Sequence, residues 1–315
     1  MRKRGFFALL AACLLLASVG CASLADPGNS SDKTQDTTIM DYFGNTAAFD
    51  ACPQRVAALS GSLGEVWLNA GGTLAGVTQD ALTERDMGLP ADTAVLGTIK
   101  EPNLEALLAL EPDFVILSAD IASHSKLAET LRGLEIPCGQ FHEDMFADYL
   151  QLLEQFTALT DRNDLYQSYG VDAQEQIEDI LAQNRLQEPR TVLLLRAYSS
   201  GFKAKGTDIQ AGAILSDFGF VNVLDQYDSL LEDISLEEII RVDPDAIFVT
   251  TMGSDTQAAL DNLVRSLQSN PAWATLTAAQ EGHYYVLPKE LFHYKPNARW
   301  PEAYQYIADL LQNES

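Results

Sequence analysis

Two stretches of this 315-residue chain concentrate side chains able to grip an anionic or aromatic small molecule. One, from Tyr198 to Lys205, carries Tyr198, Lys203 and Lys205. The other, Phe292-His-Tyr-Lys-Pro-Asn-Ala-Arg-Trp300, carries His293, Tyr294, Lys295 and Arg299. Cations are scarce in the chain as a whole, with 20 Lys and Arg against 45 Asp and Glu and a formal charge of −25. Aromatic faces pack flat or bulky organic ligands, while guanidinium and ammonium groups meet carboxylate, phosphate or hydroxamate oxygens. Pro296 and Pro301 stiffen the second stretch, which suits a shaped loop better than a helix interior. A packing alternative stands beside this reading: Trp300 and Tyr304 cover the last helix, and Arg299 makes a surface pair.

Catalytic constellations are missing from the sequence. There is no Gly-x-Ser-x-Gly elbow, no Walker loop and no His-Glu-x-x-His. Gly61-Ser62-Leu63-Gly64 loosely mimics a phosphate loop but lacks its Gly-Lys-Ser/Thr ending. No catalytic residue, no cofactor and no enzyme activity are therefore assigned. His124 and His293 are available as metal ligands, but the chain has four histidines and no close pair. A dedicated zinc or manganese site needs three or four ligands, so none is assigned. Cys52 and Cys138 form a disulfide or remain buried free thiols; two cysteines are too few for a metal cluster.

These residues must be positioned by the elements around them, and those elements occur twice. Asn103-Leu-Glu-Ala-Leu-Leu-Ala-Leu-Glu-Pro-Asp-Phe-Val-Ile-Leu-Ser118 and Ser235-Leu-Glu-Glu-Ile-Ile-Arg-Val-Asp-Pro-Asp-Ala-Ile-Phe-Val-Thr250 lie 132 residues apart. Each reads as a polar N-cap, a short amphipathic helix, a Pro-Asp stop and an apolar strand. Strands at Arg55–Ser60 and Arg190–Ala197 precede them, and Gly71-Gly72 and Gly219 end the intervening helices. Alternating strands and helices predict α/β lobes with parallel sheets. From Phe146 to Leu186 no strand pattern appears, and the stretch from Asn163 to Arg185 predicts one long connecting helix of about 35 Å despite Gly170. The predicted order is an N-terminal lobe at 39–160, a linking helix at 161–187 and a C-terminal lobe at 188–315.

The first residues carry an address. Arg2, Lys3 and Arg4 precede an apolar run from Phe6 to Val19, and Gly20-Cys21 follow. That run is short for a membrane span and has the charge flank of a secretory signal. It resembles a bacterial lipoprotein signal at 1–20 with Cys21 lipidated, Cys13 being the alternative, and 21–38 read as a flexible polar tether. The first twenty residues hold three cations and no anion, so the remainder carries −28. Such a surface repels nucleic acid.

The order Ser60-Gly-Ser-Leu-Gly-Glu65, Leu96-Gly-Thr, Asn103-Leu-Glu, Glu111-Pro-Asp113, Asp243-Pro-Asp245, Trp273 to Gly282 and Tyr284-Tyr-Val286 resembles the bacterial solute-binding proteins of the iron–siderophore, haem and vitamin B12 import class, over about residues 40–312. The resemblance implies two Rossmann-like lobes joined by one long helix, the class III periplasmic-binding-protein arrangement. It implies a monomer, lipid-anchored outside the cytoplasm, that delivers a metal chelate to a permease dimer driven by a cytoplasmic ATPase. Ferric siderophore is the first expectation; corrinoid and haem are alternatives, and a surface adhesin on the same fold is the non-transport one. The ligand is expected in the cleft beyond the strand ends. Ser62, Trp67, Lys100 and His124 are thereby expected to line it from the first lobe, and Tyr198, Lys203, Lys205, His293, Tyr294, Lys295 and Arg299 from the second. The family's permease contacts imply Glu65 as one docking acid, with Asp217, one residue past the matching position at Ser216, as the other.

Overall fold

The computed structural model describes residues 37–226 and 233–314. The signal, Cys21 and most of the tether lie outside them, and the strand β1 (Thr37–Met40) begins two residues inside the segment read as tether. It pairs antiparallel with β2 (Thr46–Phe49), a hairpin the sequence reading did not contain.

The first lobe holds β3 (Val56–Ala58), β4 (Leu74–Val77), β5 (Ala94–Val95), β6 (Phe114–Ser118) and β7 (Cys138–Phe141), paired in parallel in the order β5-β4-β3-β6-β7. The second holds β8 (Arg190–Tyr198), β9 (Gly201–Lys205), β10 (Phe220–Asn222), β11 (Ala246–Thr251) and β12 (Tyr284–Val286), in the order β10-β8-β11-β12. These run parallel, while β9 folds back antiparallel on β8. The stretch from Tyr198 to Lys205 is thus largely a hairpin.

The duplicated units recur down to their hydrogen bonds. Asn103 accepts from the Ala106 amide, and Ser235 forms a capping box with Glu238. Each helix ends at a left-handed residue ahead of proline, Glu111 at φ 47° and Asp243 at φ 40°. The aspartate after each proline then clamps the start of the lobe's first strand. Asp113 accepts from the Gln54 and Arg55 amides at 2.8 Å, and Asp245 from the Thr191 amide and hydroxyl at 2.7 Å. A Pro-Asp stop therefore also sets the register of β6 against β3 and of β11 against β8.

Helix Phe146–Thr160 covers the first lobe. The linker follows as a continuous helical stretch of three parts, Asn163–Tyr166, a π-turn Gln167–Val171 and Asp172–Asn184. The π-turn contains buried Gly170, and there the Tyr169 carbonyl accepts the Tyr149 hydroxyl at 3.2 Å. Such a turn displaces one carbonyl from the helical ladder, and Tyr149 uses it. The terminal helix Trp300–Asn313 packs against Asp172–Asn184. Each sheet is covered on both faces. The faces turned towards the connecting helices share one hydrophobic core that runs through both lobes, so hinge bending must deform that packing.

Trp67 belongs to this core. It is fully buried, its indole donates to the Thr73 carbonyl at 2.9 Å, and its ring meets Phe156 edge-on. The expectation that Trp67 lines the cleft is corrected accordingly: the helix Gly61–Asn69 turns that position inward. Cys52 and Cys138 are free thiols.

Two stability outcomes follow. Trp67→Ala should cost about 3–5 kcal/mol in urea unfolding without a change in ligand preference. Asp245→Ala leaves the Thr191 amide without its charged acceptor and should cost about 1.5–3 kcal/mol.

Candidate functional site

The carboxyl ends of both parallel sheets face the junction of the lobes, and the loops leaving them are held by specific contacts. After β3, Gly61 starts a helix whose first amide donates to Asp80 at 2.6 Å. A Cβ at Gly61 would stand 2.9 Å from the Ala81 backbone, so this approach needs glycine. Ser62 is half-buried beside the Ser60 hydroxyl at 3.1 Å.

The lobes are joined by charged and amide groups. Arg85, on the loop between β4 and β5, donates to the Glu65 carboxylate, to the Lys295 carbonyl at 3.2 Å and to the Tyr294 carbonyl. Its side chain is 9 % exposed. Lys295 pairs with Asp144, and the Asn297 amide donates to Glu65 at 2.7 Å and to the Ser62 carbonyl at 3.0 Å. Lys295 and Asn297 both have positive φ, 43° and 51°. Non-glycine residues hold that conformation when the surroundings dictate it. Of these residues Ser62, Tyr294 and Lys295 were expected to line the cleft and Glu65 to dock on a permease; Arg85 and Asp144 lie in stretches without a legible pattern, and Asn297 lies in the 292–300 run but was not singled out there.

The face of the second lobe that carries cations is built by strand register. Arg196 is paired with Lys203 and Leu194 with Lys205 across β8 and β9, so Arg196, Tyr198, Lys203 and Lys205 point to one side. Lys203 reaches Asp233 at 3.8 Å. Arg196 Nε is buried with no hydrogen-bond partner among the described residues. His293 stands in the field of Arg196, Lys289 and Lys295, and burial together with these cations pulls its pKa down to about 4. His293 is therefore neutral at physiological pH, able to offer both a donor and an acceptor. Tyr294 lies beside it, ring centroids 5.4 Å apart, with the Lys289 ammonium 4.7 Å over its own ring. Between the lobes a groove of about 490 Å³ is lined by Thr83 and Glu84 on one side and by Thr251, Ser254, Lys289 and Tyr294 on the other. That volume suits a small organic ligand.

Other expected residues lie elsewhere. His124 is fully buried; its Nδ1 accepts the Ser118 amide at 2.9 Å and its Nε2 donates to the Ile99 carbonyl at 2.8 Å. Burial lowers its pKa, and with both nitrogens occupied it is a structural residue rather than a lining one. Lys100 is exposed on the loop after β5. Arg299 makes the surface pair, with Glu302 at 2.7 Å. Trp300 packs near Phe146, ring centroids 5.5 Å apart. Asp217 accepts the Tyr304 hydroxyl at 2.7 Å while Ser216 is exposed. Asp120, His142 and Asp144 bring one ligand atom each within 4.8 Å of one another. Their proximity is met by mutual pairing, His142 with Asp120 at 2.8 Å and Asp144 with Lys295.

Arg196 was missed because the reading looked past strand ends, and this cation sits within the strand. Its signal was present: one charge in the apolar run Leu193-Leu-Leu-Arg-Ala197.

Comparison with known proteins bears on this geometry. The chain is 27 % identical to the Fe(3+)-citrate-binding protein YfmC of Bacillus subtilis over 287 residues, covering 88 % of this chain and 86 % of that one. It is 24 % identical to the putative ABC transporter substrate-binding lipoprotein YhfQ of the same organism, covering 96 % and 95 %. Among solved structures, IsdE of S. aureus complexed with heme superposes with a TM-score of 0.68 at 17 % identity, over 82 % of this chain and 98 % of that one. Residues 56–291 match the family described as "Periplasmic binding protein". The two parallel-sheet lobes, the helical linker and this match together place the chain in the periplasmic binding protein family, in the class III arrangement.

Proposed function

We propose that this chain is the substrate-binding component of an ABC importer and captures an anionic ferric chelate, a ferric siderophore or ferric citrate, between its lobes. The observation that carries the reading is the cation-bearing face of the second lobe. There a buried Arg196 Nε without a partner lies within the electrostatic reach of a neutral His293, and His293 is followed by Tyr294, which lines a groove between the lobes. A buried, unpaired guanidinium donor carries a desolvation cost that an incoming carboxylate or hydroxamate oxygen relieves. Tyr198 and Tyr294 add aromatic surface for the organic part of a chelate. The curated relatives named for ferric citrate and siderophores support the same cargo class.

Delivery follows from the same reading. Lipid attachment at Cys21 would hold the protein at the outer face of the membrane, with residues 21–38 largely as tether. Among the described residues no helix is long and apolar enough to cross a membrane. Docking on the permease through Glu65 and Asp217 requires permease arginines to replace present partners, Arg85 and Asn297 at Glu65 and Tyr304 at Asp217. That exchange would couple docking to the interlobe contact on the Glu65 side.

The test is a thermal-shift screen of the chain without its first twenty residues, against ferric citrate, ferric hydroxamate and catecholate siderophores, cobalamin and haem. A matching chelate at 100 times its Kd adds about 2.7 kcal/mol of stability. Stabilisation by cobalamin or haem alone would overturn the anionic-chelate assignment. Arg196→Gln should weaken binding of the matching chelate by about 10- to 100-fold, the worth of one charge-assisted contact, read by calorimetric titration. Unchanged affinity would remove Arg196 from the site.

A further inference from the structure

Glu143 is the most confined carboxylate of the interlobe contact. It follows β7 between His142 and Asp144, is 5 % exposed, and has no hydrogen-bond partner at either carboxylate oxygen. The groups facing it come from both lobes: Ser62 and Glu65 of helix Gly61–Asn69, Arg85 of the following loop, Tyr149 of helix Phe146–Thr160, and Lys295 of the second lobe. Its chain neighbours point elsewhere, Asp144 to Lys295 and His142 to Asp120, Asp144 and Asp148. Both nearby cations are already engaged, Arg85 with Glu65 and two carbonyls, Lys295 with Asp144. Glu143 therefore feels their field without their hydrogen bonds. Burial pushes its carboxyl up to about 7, against the pull of Arg85, Lys295 and the nearby Ser62 hydroxyl and with Glu65 adding to the rise.

The second lobe contributes to this confinement through Lys295 and through the carbonyls that hold Arg85 in place. Were segment 294–297 to withdraw, Lys295 would leave, Arg85 would lose its two carbonyl acceptors and Asn297 would release Ser62 and Glu65. Water would then reach Glu143. We propose that Glu143 makes lobe closure proton-linked: the closed arrangement takes up a proton at this carboxyl, and opening the lobes releases it.

The sign follows from linkage. The closed form has the higher affinity for the proton, so between the ordinary carboxylate range and about pH 7 a falling pH favours closure. Below that window both forms are protonated, and above it both are ionised, so the balance levels off at either end. The effect concerns the lobes themselves and is independent of which cargo they hold.

The test uses the ligand-free chain without its first twenty residues. Spin labels are attached through keto-bearing residues introduced at exposed Glu129 and Ser266, one on each lobe. Pulsed electron-spin distance distributions at pH 7.5 and pH 5.5 should shift towards the closed distance in acid, the closed-to-open ratio rising about tenfold. In Glu143→Gln, an uncharged isostere, the closed fraction should be high at both pH values. A wild-type distribution that does not respond to pH, or a shift that persists in Glu143→Gln, would overturn the proposal. A second readout needs no variant at 143: carbon-13 NMR of glutamate carboxyls in the wild-type chain should show one group titrating near neutrality. If every glutamate titrates in the ordinary carboxylate range, the proposal is wrong.

Discussion

The arrangement of the site depends on one guanidinium. Arg85, mostly buried, holds Glu65 in its own lobe and the carbonyls of Tyr294 and Lys295 in the other. A buried ion pair recovers its desolvation cost only when its remaining donors are also satisfied, and here the second lobe's backbone satisfies them. The consequence is geometric. Fixing the 294–295 backbone fixes Tyr294, which lines the groove, and its neighbour His293, which feels the Arg196 charge. A contact outside the groove thus sets the orientation of a residue that lines it. Lys295 and Asn297 hold their left-handed conformations in the same short segment, where Asp144, Ser62 and Glu65 supply the compensating bonds.

Behind this junction stands a duplicated scaffold. In each lobe a Pro-Asp aspartate ties the start of one strand to the start of its neighbour, which aligns their carboxyl ends as well. Aligned ends are what an open parallel sheet offers a ligand. The shared core along the helical linker joins the lobes mechanically, so relative motion is best placed at the polar contact rather than in the core. The unpaired buried carboxylate of Glu143 lies at that contact, where a small separation of the lobes changes its hydration most.

The sequence was informative where local physics decides. N-caps at Asn103 and Ser235, the Pro-Asp stops, the parallel sheets and the helical linker were all legible because each is written within a few residues. Tyr294 and Lys295 lie in a loop immediately ahead of Pro296. Trp67 and His124 were misplaced because position after a strand does not say which way a helix turns its side chains. Trp67 faces the apolar core of the first lobe, and His124 turns back to close the Ser118 amide and the Ile99 carbonyl. Arg85, Asp144 and Asn297 were not legible because their partners lie 20 to 235 residues away along the chain. No local pattern records such a contact. Arg196 is the intermediate case, a charge within an apolar strand whose purpose appears only when β9 folds back to place Lys203 opposite it.

The measurement that reaches the centre of this proposal is an iron anomalous-scattering map from crystals grown with the ferric chelate that stabilises the chain most. The predicted result is one iron peak between the lobes, with chelate oxygens within hydrogen-bond reach of Arg196 and His293. An iron peak at the Asp120–His142–Asp144 cluster, or a chelate bound with Arg196 still unpartnered, would contradict the assignment of the cation-bearing face as the cargo site.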